Sequence, residues 1–461
     1  MITTKLPNGL RVATDGGCFR PHCCLGVFFP LGSKYERENS PDIPTGITRY
    51  FELAFRGYKQ KKRLERRLEK GPIVSSEISA TKEWLSFSVE TLRPNAEAAF
   101  GTLMDELHIP GKRGSKNFWK YDAPDLLCES DQMAIPETAV VELMHQTAYG
   151  GVRKPLGNRT PYATSPSVLK KLSQKHLDSF LAKYIYGADP ADMVVVGAGL
   201  NHSDLLKLVS KYKISKMPSK RTPGKPKPQI VQSYCGGSIV YTPKSAMPPL
   251  VGPTAHLSHV GVCFKAPSAQ ENMYPTLVAA SILGGGSAFS AGGPGKGMHT
   301  RYFTSTLSEM WAETAMAYTF AASHCGLMGA VGSSDPRRTK DLQYSLVDQL
   351  ILLGLSPVKE GELERAKNML KSEVRISLDR MPVLCEDIGS QLLLKGSRDD
   401  ANEFCRKVDK VTPEEVRKAV RDSLLTMPTV SVICSEEEKG KLVSNAKLHS
   451  MIKALLTLNK K

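Results

Sequence analysis

Short apolar runs bounded by Gly, Pro and Asn recur along the chain, rich in the β-branched and aromatic residues of buried strands. In the first half they are Leu6–Thr14 (LPNGLRVAT, with an Asn8-Gly9 turn), Leu25-Gly26-Val27-Phe28-Phe29 leading to Gly32-Ser33, and Ser86–Leu92 (SFSVETL). In the second half they are Val260-Gly261-Val262-Cys263-Phe264 leading to Pro267-Ser268, and Gly326–Ser333. Between the strands the apolar positions take helical spacing. The pattern predicts helices over Gly46–Lys70, from Arg93-Pro94 to Leu107, Thr138–Tyr149 and Ser165–Tyr184, and later over Tyr274–Leu283, from Asp335-Pro336 to Leu353, Glu360–Asp379 and Pro413–Leu425. Thr412 before Pro413 and Glu414-Glu415 reads as an N-cap followed by a favourable first turn.

The two halves share an order. A Gly-Val-x-Phe strand is followed by a helix, and a later strand passes through Arg-Pro or Asp-Pro into a second helix. Between the halves lies Lys211–Gln229 (KYKISKMPSKRTPGKPKPQ), dense in Lys and Pro and poor in anything to bury, which is linker composition. The expected organisation is a duplicated chain: a domain over 1–210, a linker over 211–229 and a second domain over 230–461. Strands do not alternate strictly with single helices, so the expected class is α+β, each domain a mostly antiparallel sheet packed with helices.

Composition narrows the function classes. With 461 residues, 41 % hydrophobic and 23 % charged, the chain has the make-up of ordinary folded domains. No apolar run reaches membrane-helix length; the longest candidate, Thr276–Phe289, is broken by three consecutive glycines. The net charge of +16 suits an anionic partner, with anionic lipid a candidate, or simply a solvated basic surface. Zinc-finger spacing and aromatic RNA-binding signatures are missing, so no nucleic-acid partner is expected. The ten cysteines form no CxxC pair, and their scatter fits free thiols in a reducing compartment. The opening residues read as folded strand, so either the targeting signal is very short or the numbering starts at a processed end. The basic run Lys59–Lys70 (KQKKRLERRLEK) reads as a solvated helix face or as a contact for lipid phosphate or an acidic partner. His256-x-x-His259 precedes a strand and has no completing carboxylate, so it is not expected to hold a metal.

The segment Gly284–Gly297 (GGGSAFSAGGPGKG) is half glycine. Such a density costs conformational entropy and needs a reason. A Walker loop is excluded: Gly297 follows Lys296 where Ser or Thr is required, and Ser290 stands where the first glycine should be. A dinucleotide fingerprint is excluded because no strand leads into the loop. A flexible loop contacting an extended peptide through its backbone and a passive surface insertion both remain open. The candidate binding residues are Gly284, Gly285, Gly286, Ser287, Phe289, Gly292, Gly293, Gly295, Lys296 and Gly297.

This loop, with Lys296-Gly297-Met298 and Arg301 after it, resembles the glycine-rich loop of mitochondrial processing peptidase alpha subunits. These belong to a non-catalytic branch of the pitrilysin-type inverted zincins that also supplies core subunits of respiratory complex III. The resemblance extends over nearly the whole chain. It includes Leu6–Thr14, Gly46-Ile47 through Leu53-Ala54-Phe55, Glu129-x-Asp131-x-Met133, Met144-His145-x-x-Ala148-Tyr149, Glu362–Lys367 and Pro382-Val383-x-x-Glu386-Asp387-Ile388-Gly389. Catalytic relatives carry HxxEH on the first helix, two histidines for zinc and a glutamate that activates water. The corresponding stretch here is Arg49-Tyr50-Phe51-Glu52-Leu53: only Glu52 is kept, and no histidine lies between His22 and His108. The resemblance therefore implies no catalytic residue, no metal and no cofactor of the chain's own. It implies pairing with a zinc-bearing beta subunit (or second core subunit) and other complex III subunits, binding of presequence peptides through the loop, and a place on the matrix side of the mitochondrial inner membrane. A purely structural complex III core subunit, handling no peptide, is the alternative. The net charge weighs toward that alternative, since presequences are themselves basic, or assigns the acidic contacts to the partner; the intact loop weighs toward peptide binding.

Overall fold

The computed structural model describes residues 1–15, 20–38, 40, 43–56, 73–108, 135–151, 154–159, 166–214, 232–242, 250–287 and 298–458. Two six-stranded sheets organise them. The first sheet contains β1 (Ile2–Lys5), β2 (Arg11–Thr14), β3 (His22–Phe29), β4 (Ile73–Ala80), β5 (Leu85–Leu92) and β6 (Val194–Ala198) in the order β1-β2-β6-β3-β5-β4. The second contains β7 (Gly237–Tyr241), β8 (Ser258–Ala266), β9 (Gly285–Ser287), β10 (Ala312–Ala321), β11 (Gly326–Ser334) and β12 (Thr429–Ile433) in the order β7-β12-β8-β11-β10-β9. In each sheet one parallel pair, β2 with β6 and β7 with β12, sits among antiparallel ladders. The α+β reading and the duplication are thus visible strand by strand: β2-β6-β3-β5-β4 matches β7-β12-β8-β11-β10.

The helices used below are α1 (Ile47–Arg56), α2 (Ala96–His108), α3 (Pro136–Ala148), α4 (Gln174–Phe180), α5 (His202–Lys211), α6 (Tyr274–Leu283), α7 (Thr339–Leu355), α8 (Glu360–Ser377), α9 (Met381–Leu394), α10 (Pro413–Leu424) and α11 (Asn445–Leu458). Most match the sequence pattern to within two residues. Two do not. The stretch expected over Ser165–Tyr184 is a short turn of helix at Pro166–Leu169, a break, and α4 running into a π-helical turn at Leu181–Ile185. Ser173 caps α4 through a reciprocal bond with His176, a local signal that starts a new helix. The helix expected over Gly46–Lys70 is described only as α1; residues 57–72, with the whole basic run, lie outside the described part. Thr412 caps α10 as expected: its hydroxyl accepts from Glu415 N at 3.3 Å and Glu415 Oε2 accepts from Thr412 N at 2.8 Å.

β3 is buried on both faces, which is why it reads as a continuous apolar run. Cys23, Leu25, Val27 and Phe29 join the larger core under α1, α2, α4 and α5. Cys24 and Phe28 point the other way, with Ala13, Val194, Val196 and Ala198, and are covered by Met381, Cys385, Ile388 and Leu392 of α9. β8 repeats the arrangement. Val260, Val262 and Phe264 join the core under α6, α7, α10 and α11, while Cys263 packs with Met144 and Ala148 of α3. The single covering helix of each sheet therefore comes from the opposite half of the sequence.

The compact units follow that exchange. One comprises Met1–Asp131, Thr160–Ile230 and Arg375–Asp400; the other comprises Gln132–Arg159, Val231–Val374 and Ala401–Lys461. The continuous domains 1–210 and 230–461 expected from sequence are each short of one helix, because a sheet with two apolar faces needs cover on both and nothing local marks which helix supplies it. Of the linker, only Lys211–Ile214 lies within the described residues. The repeated glycine of the Gly-Val-x-Phe strands is explained at the same place. A Cβ on Gly26 would sit 2.7 Å from Cys385 Sγ of α9, and one on Gly261 would sit 2.7 Å from Ser431 Oγ and 3.3 Å from Met144 Sδ of α3. Each glycine lets the crossing helix approach the strand.

Candidate functional site

α1 begins where the backbone of Gly46 takes φ 85°. The buried Glu36 carboxylate meets its first turn, accepting from Gly46 N at 2.7 Å and Thr48 N at 3.0 Å. Burial pushes the Glu36 carboxyl above the ordinary carboxylate range, against the opposing pull of those N–H groups. Ile47, Tyr50 and Phe51 turn into the core, with the Phe51 ring 5.6 Å from both Phe87 and Phe180. That orientation sets Arg49 and Glu52 together on another face of the helix.

Arg49 Nη1 donates to Glu52 Oε2 at 2.8 Å, with side-chain exposures of 7 % and 0 %. A zincin helix would place here two neutral imidazoles and a divalent cation. Arg49 instead brings its own fixed cation to the glutamate, and guanidinium has no lone pair to ligate a metal. The residues present do not fit zinc. The side chain of Leu53, and Glu129, Asp131 and Met133, lie outside the described residues. Among the described residues no group of three or more His, Cys, Asp or Glu side chains could hold a metal ion. The His256/His259 pair is not convergent: His256 is exposed, whereas His259 is buried and donates Nε2 to Thr254 O at 3.0 Å.

The glycine-rich segment starts inside the fold. Gly284 ends α6 with φ 49°, and a Cβ there would lie 2.2 Å from Thr300 Cγ2. Gly285 has φ 102°, and a Cβ there would lie 1.9 Å from Ala315 O. Both must be glycine to turn the chain from helix into β9, which pairs antiparallel with β10 through Gly285↔Met316, Gly286↔Ala315 and Ser287↔Thr314. Ala317 N donates to Gly284 O at 2.8 Å, so alternation along the ladder turns the N–H of Gly285 away from β10. There it meets the returning chain, donating to Thr300 Oγ1 at 3.1 Å. The next residue, Arg301, makes a bidentate pair with Glu362 at the start of α8, Nε–Oε1 2.8 Å and Nη2–Oε2 3.0 Å. Both roots of the loop are therefore fixed in one unit. Phe289, Gly292, Gly293, Gly295, Lys296 and Gly297 lie outside the described residues.

Arg301 and Glu362 both stand in stretches that carry the sequence resemblance, but nothing in sequence pairs them. Nor does the sequence signal the roles of Thr300 or of Glu36, whose cap reaches α1 from ten residues away. Met144-His145-x-x-Ala148-Tyr149 proves to be the inner face of α3. His145 Nε2 and Tyr318 Oη are 2.5 Å apart, and Cys325 Sγ donates to Tyr149 Oη at 3.5 Å, so this stretch is a helix-to-sheet contact.

Comparison with known proteins agrees with this geometry. Residues 171–370 match the model of the peptidase M16 inactive domain. The alpha subunit of the mitochondrial-processing peptidase of Rattus norvegicus is 29 % identical over 93 % of this chain and 81 % of its own length. The alpha subunit from Caenorhabditis elegans is 27 % identical over 93 % and 83 %, and that from Solanum tuberosum 28 % over 94 % and 82 %. A chain in the structure of Complex III2 from Candida albicans superposes with a TM-score of 0.75 at 17 % identity, covering 98 % of this chain and 99 % of that one, and shares the fold. The chain is a non-catalytic homologue of the mitochondrial-processing peptidase alpha subunits, carrying the inactive domain of the peptidase M16 group.

Proposed function

We propose that this chain is the alpha-type member of a mitochondrial processing peptidase pair and doubles as a core subunit of respiratory complex III. It leaves hydrolysis to a zinc-bearing beta partner and holds presequence peptides through its glycine-rich loop. The observation that supports the non-catalytic part is the buried Arg49–Glu52 pair, a protein cation on the helix that, by the resemblance, would carry the zinc ligands. For peptide holding, the supporting observation is the pair of anchored roots at Gly284–Ser287 and Thr300–Arg301. Of the candidate binding residues, Gly284 and Gly285 have work enough in the turn into β9. The peptide contact is accordingly assigned to the stretch from Phe289 to Gly297, including Gly292, Gly293, Gly295 and Lys296, with Gly286 and Ser287 at its edge.

The scaffold reading, a complex III core subunit that handles no peptide, draws on the +16 charge, which repels basic presequences unless the acidic contacts come from the partner. One experiment separates the two. Residues 288–297 are replaced by a short Ser/Gly bridge and the chain is reconstituted with a zinc-bearing beta subunit. Weaker binding of a fluorescent presequence peptide with unchanged pair formation is the expected result. Unchanged binding leaves the scaffold role alone. Purified without a partner, the chain is expected to hold no stoichiometric zinc.

A further inference from the structure

Each sheet of this molecule is closed by a helix from the other half of the sequence. α9 supplies Met381, Cys385, Ile388 and Leu392 to the face of the first sheet formed by Ala13, Cys24, Phe28, Val194 and Val196. Gly389 is as demanding as Gly26 here: a Cβ on it would fall 2.4 Å from the Phe28 ring. Arg11 of β2 donates to Leu392 O at the end of α9, and Arg398 Nε to Asp387 Oδ2 at 2.7 Å fastens the turn that follows. Reciprocally, α3 seats Met144 and Ala148 beside Cys263 and Leu327, and Ser431 Oγ of β12 donates to Val140 O at 2.9 Å.

We infer that this reciprocal exchange, and not the Lys/Pro-rich linker, is the device that keeps the two halves of the chain together. Neither half can leave without stripping one apolar face from each sheet. Returning that apolar surface to water opposes separation. The linker is then free to be cut or lengthened without loss of the folded molecule.

The test uses the full chain with a specific protease site inserted after Lys220, cleaved after folding. The fragments are expected to elute together under native conditions. Two further measurements distinguish exchange from an ordinary contact between halves. Gly389→Leu, which drives a side chain into Phe28 and unseats one of the two exchanged helices, should release the cleaved fragments at a urea concentration that the wild-type pair withstands. Cys24 and Cys385 are both fully buried in the same core and lie on opposite fragments. Molecular iodine should join them: the two thiols give up two protons and two electrons, and iodine leaves as two iodides. The cross-link should appear on non-reducing gels and vanish in Cys24→Ser and in Cys385→Ser. Either release by Gly389→Leu or the cross-link supports the proposal, and if that variant does not fold the cross-link alone decides. Separation of the wild-type fragments overturns it. So does retention in Gly389→Leu with no cross-link.

Discussion

Arg49 and Glu52 of α1 are two buried charged side chains paired with each other, and both are open to direct substitution. Arg49→Ala leaves the Glu52 carboxylate enclosed without its cation, a change expected to cost ~3–5 kcal/mol. The double variant Arg49→Met, Glu52→Leu removes both charges and should recover most of that loss. Urea midpoints of the three proteins check this, and equal midpoints for Arg49→Ala and wild type would remove the pair's structural role. Glu36 gives a pH-dependent counterpart. Its carboxyl is raised in the fold by burial, so the protonated form is favoured there. The stability it contributes is complete below the ordinary carboxylate pKa and declines as pH rises through the raised one. Glu36→Gln, neutral at every pH, should therefore gain on wild type as pH rises above the ordinary carboxylate range, read as the difference in urea midpoint between an acidic and a neutral buffer. The sequence put Arg49 and Glu52 on one helix, three residues apart, but their pairing in the interior was not read from it. Neither was the Glu36 cap, because it reaches across a loop that has no periodicity.

At the scale of elements, the glycine-rich segment divides into a structural root and a remainder. Gly285→Ala must hold φ 102° and push past Ala315 O, so it should unpair β9 from β10 and lower stability by more than about 1 kcal/mol. Gly293→Ala, placed in the stretch assigned to peptide, should leave the melting temperature unchanged. Thermal unfolding of the two variants side by side checks the division; equal losses would mean that both glycines serve the fold. Sequence singled out the glycines but could not sort them, since the discriminating facts are the Thr300 and Ala315 atoms against which Gly284 and Gly285 rest. Strands and helix types were largely readable, because β3 and β8 are continuous apolar runs and α10 carries its own cap. The π-helical turn at Leu181–Ile185 was not, since its residues are ordinary helix formers.

For the whole molecule, duplication was readable in order and motif, whereas the exchange of α3 and α9 was hidden. An amphipathic helix announces that it has a buried face, but not which sheet will bury it. The exchange has a thermodynamic consequence. Independent domains joined by a linker unfold in separate steps, and two-state behaviour fails for them. Here each unit is built from segments that interrupt the other along the chain, so the unfolding of one pulls on the segments that enter and leave the other, and the two units should unfold as one. Trp84 lies in the core closed by α9, beside Phe28 at 6.1 Å, and Trp311 lies at the edge of the second unit's core. With Trp119 replaced by Phe throughout, Trp84→Phe and Trp311→Phe give proteins that report one unit each. Their urea transitions, followed by fluorescence, should share one midpoint. A difference larger than that between replicate curves would mean that the exchanged helices cover their sheets without coupling them, and that each half keeps its fold after the other is lost.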